Sequence, residues 1–189
     1  MSDQESALLA LAALLEKEHV PYMVIGGLAN AVWGEPRATL DIDVTVWVDE
    51  SGVAGAVDVL SKAFQVVAED PLAFVKESRV LPLESEHGVR LDVVFGLLPF
   101  ERDAIARAVP IEIAGMSVRV CTPEDLILMK IISDRERDLA DAEGVTLRRI
   151  RDLDLGYLEP RIRELADLLG KAEIIRRWES WKANAVGHR

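Results

Sequence analysis

Two aspartates two residues apart, Asp41 and Asp43, interrupt the apolar run L-D-I-D-V-T-V-W that ends at Trp47. If this run is a strand, residues two apart share a face, with Cα atoms about 6.6 Å apart. Two carboxylates on one face of an apolar strand repel each other and resist desolvation, so they call for a cation, protons or water. Upstream, the apolar stretch Tyr22–Ile25 leads into the pair Gly26-Gly27. That pair permits a tight turn with positive φ and a close approach of backbone to a ligand. Hard oxygen ligands beside a glycine turn suit Mg²⁺-dependent chemistry on a phosphate.

The spacing predicts an amphipathic helix over residues 3–19, a strand over Tyr22–Ile25, and a glycine turn followed by a short helix Leu28–Trp33. Amides exposed at such a helix start form an anion site. Thr39–Val48 reads as a strand with Leu40, Ile42, Val44 and Val46 on one side and Asp41, Asp43 and Thr45 on the other. Residues 53–63 read as a helix, and Phe64–Ala68 is strand-like. Val80–Leu83 and Val89–Phe95 form a hairpin around Glu86-His87-Gly88. A helix Pro99–Ala108 and a second hairpin, Ile111–Ile113 with Met116–Val120, follow. Thr122 before Pro123-Glu124-Asp125 has the cap, N1 proline and early acids of a helix start. Further helices are expected over Asp138–Leu155 and Pro160–Lys182, with breaks near Gly156 and at Gly170. The outline is a mixed α/β body to about residue 120 and a helical C-terminal part.

Composition narrows the chemistry. The single cysteine, Cys121, rules out an internal disulfide framework and reads as a buried thiol, while His19, His87 and His188 show no metal-ligand spacing. The net charge of −11 argues against non-specific nucleic-acid binding. The charge is uneven: residues 145–189 carry +3 and residues 1–144 carry −14. A basic tail could still meet a folded RNA, and an acidic surface suits a cationic acceptor. The start M-S-D-Q-E-S lacks a basic leader, and no apolar run approaches the ~20 residues of a membrane span, so the expected location is the cytoplasm, without membrane contact.

The glycine pair, thirteen residues, and then D-I-D resemble the motif of nucleotidyltransferases with the DNA polymerase β-like fold. More narrowly, V-I-G-G-L-A-N-A-V-W-G-E-P-R-A-T-L-D-I-D is similar to the abortive-infection toxin-like (AbiEii-type) branch, with its R-x-T-x-D-x-D strand. The segment T-P-E-D-L-I-L-M-K-I-I-S-D-R-E-R-D-L-A-D resembles the downstream helix and loop of that branch. The resemblance implies an α+β fold: a mixed, mostly antiparallel sheet with flanking helices plus C-terminal helices. The body would span 1–120, with the helical part 121–189 packed on it as one compact domain.

It also implies site roles. Gly26 and Gly27 would meet the β- and γ-phosphates of an NTP. Asp41 and Asp43 would ligate Mg²⁺ (or Mn²⁺), and Asp92, on the apolar strand V-R-L-D-V-V-F, would complete the set as ligand or base. The alternative for Asp92 is a salt bridge to Arg90 or Arg37. Arg37 either meets phosphate or neutralises the acid pair, and Thr39 reads as structural support. Lys130 either contacts phosphate or snorkels to solvent. Asp138 and Asp141, one turn apart, either orient Lys130 and Arg135, face the nucleobase, or cap the next helix. Trp178 and Trp181 read as a packing or dimerisation stripe.

The implied reaction is transfer of a nucleoside monophosphate from an NTP to an acceptor hydroxyl, with release of pyrophosphate. The acceptor is open: tRNA, as for a toxin with an antitoxin partner, a protein, or a small molecule of the aminoglycoside type. The competing reading is a non-catalytic relative that binds a nucleotide or a partner. Remoteness of Asp92 from Asp41 and Asp43 would favour it.

Overall fold

In a computed structural model, residues 1–187 are described; His188 lies outside them. Among the described residues are seven strands and nine helices, in an α+β arrangement with a single open sheet. They divide into two units: Met1–Leu28 with Ala38–Cys121, and Ala29–Arg37 with the described residues from Thr122 onward.

The first unit holds the sheet, ordered β3-β4-β5-β2-β1-β7-β6. Its strands are β1 (Tyr22–Val24), β2 (Asp41–Val46), β3 (Gln65–Val66), β4 (Val80–Glu84), β5 (Arg90–Phe95), β6 (Val109–Ile113) and β7 (Met116–Val120). Pairing is antiparallel except for β2 with β5 and β1 with β7, which run parallel. The core lies where the alternation expects it: Ile42, Val44 and Val46 of β2 and Leu91, Val93 and Phe95 of β5 are buried. Helix α1 (Asp3–Lys17) begins with a capping box between Ser2 and Glu5 and buries Leu8, Leu11 and Leu15. Helices α3 (Val53–Ala63), α4 (Pro71–Ser78) and α5 (Pro99–Arg107) complete this unit. Cys121 is a buried free thiol.

The short helix α2 (Gly26–Trp33) straddles the division, its first three residues belonging with the sheet and the rest with the second unit. The second unit also contains α6 (Pro123–Ile131), α7 (Glu136–Arg149), α8 (Leu155–Leu169) and α9 (Glu173–Gly187). Thr122 caps α6 as its sequence implies, accepting from the Asp125 amide at 3.2 Å. Trp178 and Trp181 are buried, as packing residues.

Three expectations change. The expected helix over Asp138–Leu155 ends at Arg149, because Asp154 caps a new helix by accepting from the Tyr157 amide at 3.0 Å. Gly156 and Pro160 therefore lie inside α8, the proline on its exposed side where a carbonyl it leaves unbonded can meet water. The strand expected over Thr39–Val48 shortens to Asp41–Val46, which leaves Leu40 outside the ladder and 85% exposed rather than in the core. The glycine pair does not precede α2; it forms the helix's first two positions. No helix among the described residues is long and apolar enough to cross a membrane.

Candidate active site

Strand register brings the sheet-borne carboxylates together. Asp41 and Asp43 alternate onto one face of β2, and the parallel pairing aligns Asp41 with Arg90 and Asp43 with Asp92. In-register residues on neighbouring strands share a face at a strand spacing of about 4.8 Å. Asp92 is therefore the direct neighbour of Asp43, about fifty residues away in the chain. Arg90 stands at the same face, with its Nε 4.0 Å from Asp41 Oδ1, a loose pair between two side chains that are 61% and 46% exposed. It is worth little as a salt bridge.

The electrostatics follow from this crowding. Burial pushes the Asp92 carboxyl above the ordinary carboxylate range; the Arg90 guanidinium pulls it back, and the Asp41 charge adds to the upward push. Among the described residues no three His, Cys, Asp or Glu side chains are gathered closely enough to hold a metal ion. The donor set suits one all the same: hard carboxylate oxygens on one face, one of them penalised for its charge, fit Mg²⁺ or Mn²⁺ chemically.

A raised acid pKa means that the native state binds its proton more tightly than the unfolded chain does. The associated stability is full below the unfolded pKa and is lost as pH rises through the folded value. Asp92→Asn is therefore expected to raise thermal stability at neutral pH in chelator-treated buffer, by less than about 1 kcal/mol because the site is partly solvated. The gain should vanish below about pH 4, where the native carboxyl is already protonated. Melting curves from pH 3 to 8 check this.

The glycines lie against this strand. The Ile25 amide donates to the Asp43 carbonyl at 2.9 Å, bringing the next residue, Gly26, under the Asp43 side chain. Gly26 has φ +64, and a Cβ there would overlap the carboxylate, coming within 2.7 Å of Asp43 Cγ. Both the backbone angle and the space require glycine. Gly27 has ordinary φ, but a Cβ on it would lie 2.6 Å from Thr39 Oγ1 and 2.7 Å from Thr39 Cβ. Thr39 in turn donates from its hydroxyl to the Asp41 carbonyl at 3.2 Å, and its own carbonyl accepts from Gln4 Nε2 at 3.1 Å. Gln4, on α1, carries no signal in the sequence that links it to this place.

In the second unit, the other site candidates form a buried ionic cluster. Lys130 Nζ donates to Asp138 Oδ1 and to Asp141 Oδ2, both at 2.8 Å, and Arg37 forks onto Asp141 from Nε at 2.9 Å and Nη2 at 2.8 Å. Ser133 Oγ donates to the remaining oxygen of Asp138 at 2.9 Å. Lys130 does not snorkel: its side chain is 8% exposed, and Asp141 is 6% exposed. Asp138 and Asp141 both accept from Lys130; Arg135 is exposed, and its charge helps hold the Asp138 carboxyl below the usual range. Burial would push the Asp141 carboxyl up, but the bonds from Arg37 and Lys130 outweigh it and hold the group below the usual range.

Part of the basic tail is engaged by carbonyls and carboxylates of its own unit. Arg149 donates to the Trp33 and Val32 carbonyls and lies over the Trp33 ring, and Arg177 donates to the Ile131 carbonyl. Arg148 pairs with Glu35, Lys171 with Asp134, and Lys182 and Arg163 with Glu159.

A family model described as "Nucleotidyltransferase of unknown function (DUF6036)" matches residues 6–185. No curated protein sequence matches the chain. Among solved structures, an antigenic nucleotidyltransferase-like protein from Paracoccidioides brasiliensis is similar at a TM-score of 0.55 and 20% identity, covering 98% of this chain and 96% of that one. The antibiotic-resistance factor ANT(2'')-Ia in solution is similar at 0.54 and 16%, covering 98% of each chain. The lincosamide antibiotic adenylyltransferase LnuA with lincomycin bound follows at 0.52 and 15%, over 77% of this chain and 97% of that one. At these identities the likeness is one of fold.

Proposed function

We propose a function from one premise: the chain belongs to the DUF6036 family of nucleotidyltransferases of unknown function. It transfers a nucleoside monophosphate from an NTP to an acceptor hydroxyl. The observation that carries this reading is the register of Asp92 beside Asp43 on the face that also bears Asp41. A fold relative without catalysis has no need for three carboxylates on one face.

Asp41, Asp43 and Asp92 would hold Mg²⁺ or Mn²⁺, which when bound neutralises triphosphate charge and stabilises the oxygens of an in-line displacement. Asp92, in register beside Asp43, is the residue we assign either as a further ligand or as the base that accepts the proton of the acceptor hydroxyl. The acceptor oxygen bonds to the α-phosphorus, the α–β phosphoanhydride bond breaks, and pyrophosphate leaves. Amides at the start of α2, at Gly26 and Gly27, supply donors to phosphate. Arg37 and Lys130 are the cations we assign to phosphate charge, with Asp141 and Asp138 holding them in place; Thr39 and Arg135 support.

A small cationic acceptor suits the chain better than RNA. Residues 1–144 carry −14, while Arg149 and Arg177 of the tail are engaged by internal carbonyls and Lys182 by Glu159. The fold is shared with a lincosamide antibiotic adenylyltransferase and an antibiotic-resistance factor, although at an identity that speaks only of fold. The toxin reading, with tRNA as acceptor and an antitoxin partner, rests on the two motif segments alone.

The test is transfer of radiolabel from each of four α-³²P NTPs, with Mg²⁺, to aminoglycosides, to tRNA and to protein lysate. Label on an aminoglycoside bears out the small-acceptor reading; label on tRNA replaces it with the toxin reading. Calorimetry at millimolar nucleotide that shows no metal-dependent binding sinks nucleotidyl transfer altogether.

A further inference from the structure

The glycine pair touches β2 and its approach at two points on either side of Asp41. Gly26 lies under the Asp43 carboxylate, and Gly27 lies under the Thr39 side chain. Thr39 is held from two further directions: Gln4 Nε2 donates to its carbonyl, and its hydroxyl donates to the Asp41 carbonyl. From this we infer that Gly27, Thr39 and Gln4 are positioning residues that set where the Asp41 and Asp43 carboxylates stand, by fixing the backbone as it enters β2.

The physical reason is steric. Asp41 is the first residue of its strand, so the ladder constrains it from one direction only, and the preceding Leu40 is 85% exposed and gives no packing anchor. Thr39 is the nearest upstream residue with defined contacts. Its side chain stands close enough to Gly27 that any Cβ there must displace it, and the displacement passes through two peptide units to Asp41. Gly27 has no positive φ, so alanine at this place tests space without backbone strain. The same substitution at Gly26 confounds the two.

This inference rests on the nucleotidyl-transfer reading only for what the carboxylates hold. A glycine that merely cradles phosphate would act on nucleotide affinity and be indifferent to Thr39. A glycine that seats Thr39 acts on the metal ligands and is relieved by emptying the space at residue 39. Groups that orient ligands in this way change metal affinity by about 10- to 100-fold.

The experiment measures Mn²⁺ binding, by loss of the free-ion EPR signal, in nucleotide-free wild type, Gly27→Ala, Thr39→Gly and the double variant. The expected result is Mn²⁺ affinity at least about tenfold weaker in Gly27→Ala than in wild type, while the double variant binds as Thr39→Gly alone does, so that the alanine costs nothing once the space at residue 39 is empty. Unchanged affinity in Gly27→Ala, or a double variant weaker than Thr39→Gly, overturns the inference while the wild type's own Mn²⁺ binding keeps the transfer reading standing. No Mn²⁺ binding by the wild type overturns both, and the failure is then visible before any variant is made. If Gly27→Ala does not fold but the double variant does, the steric seat is supported directly. If neither folds, Gln4→Ala decides: weaker Mn²⁺ binding supports the anchor, and wild-type binding overturns it.

Discussion

The Asp43→Ala protein is expected to lose Mg²⁺-dependent nucleotide transfer by about three orders of magnitude or more while keeping its fold. Asp43 is the point at which the site's parts meet: its carbonyl accepts from Ile25, its carboxylate covers Gly26, and its register neighbour is Asp92. On the proposed reading, removing it takes away a hard oxygen ligand, and metal stabilisation of charge in such displacements is worth several kcal/mol. At 1.36 kcal/mol per factor of ten, about 4 kcal/mol corresponds to about 10³ in rate. The fold should survive because the β2 ladder is made by backbone groups and the core face is Ile42, Val44 and Val46, none of which changes. The measurement is pyrophosphate release with Mg²⁺ and the NTP that labels best, beside circular dichroism of the same sample. A residual rate within tenfold of wild type would remove Asp43 from the site.

The second large effect is on stability. Asp141→Ala is expected to destabilise the protein by about 3–5 kcal/mol, because it leaves Lys130 and Arg37 with charge and no common partner. Lys130 would keep Asp138 alone, inside a helix whose neighbours Leu126, Ile127 and Ile131 are fully buried. The sign with pH follows from the depressed carboxyl: its contribution is present above the ordinary carboxylate pKa and is lost as pH falls through the folded value. The gap between wild type and Asp141→Asn, read from denaturant midpoints, should accordingly be widest near neutrality and close in acid. A gap that stays constant down to pH 2 would show that the loss is one of packing rather than charge.

Local structure was legible where side-chain period and cap chemistry act alone. The helices at 3–17, 53–63 and 123–131, the two hairpins and the buried side of β2 follow from alternation, N-cap residues and glycine turns. Reading failed where a tertiary contact overrode the local pattern. Leu40 looked like the next core residue of β2, but the chain enters the sheet only at Asp41 and leaves Leu40 exposed. Pro160 looked like a helix start, yet the cap at Asp154 had already begun that helix.

The sequence by itself determined which groups are candidates for the chemistry: two alternating aspartates, a glycine pair and a third aspartate in an apolar strand are present whatever the packing. It could not determine which of them meet. That Asp92 lies beside Asp43 is set by the parallel pairing of β2 with β5, a contact between strands about fifty residues apart. That Gly26 and Gly27 serve the strand as well as any ligand is decided by atoms within 3 Å of a missing Cβ. Lys130 is buried on Asp138 and Asp141 of the next helix, and Arg37 joins it on Asp141 across 104 positions of chain. Each juxtaposition is made by packing between elements, and sequence periodicity within one element carries no information about it.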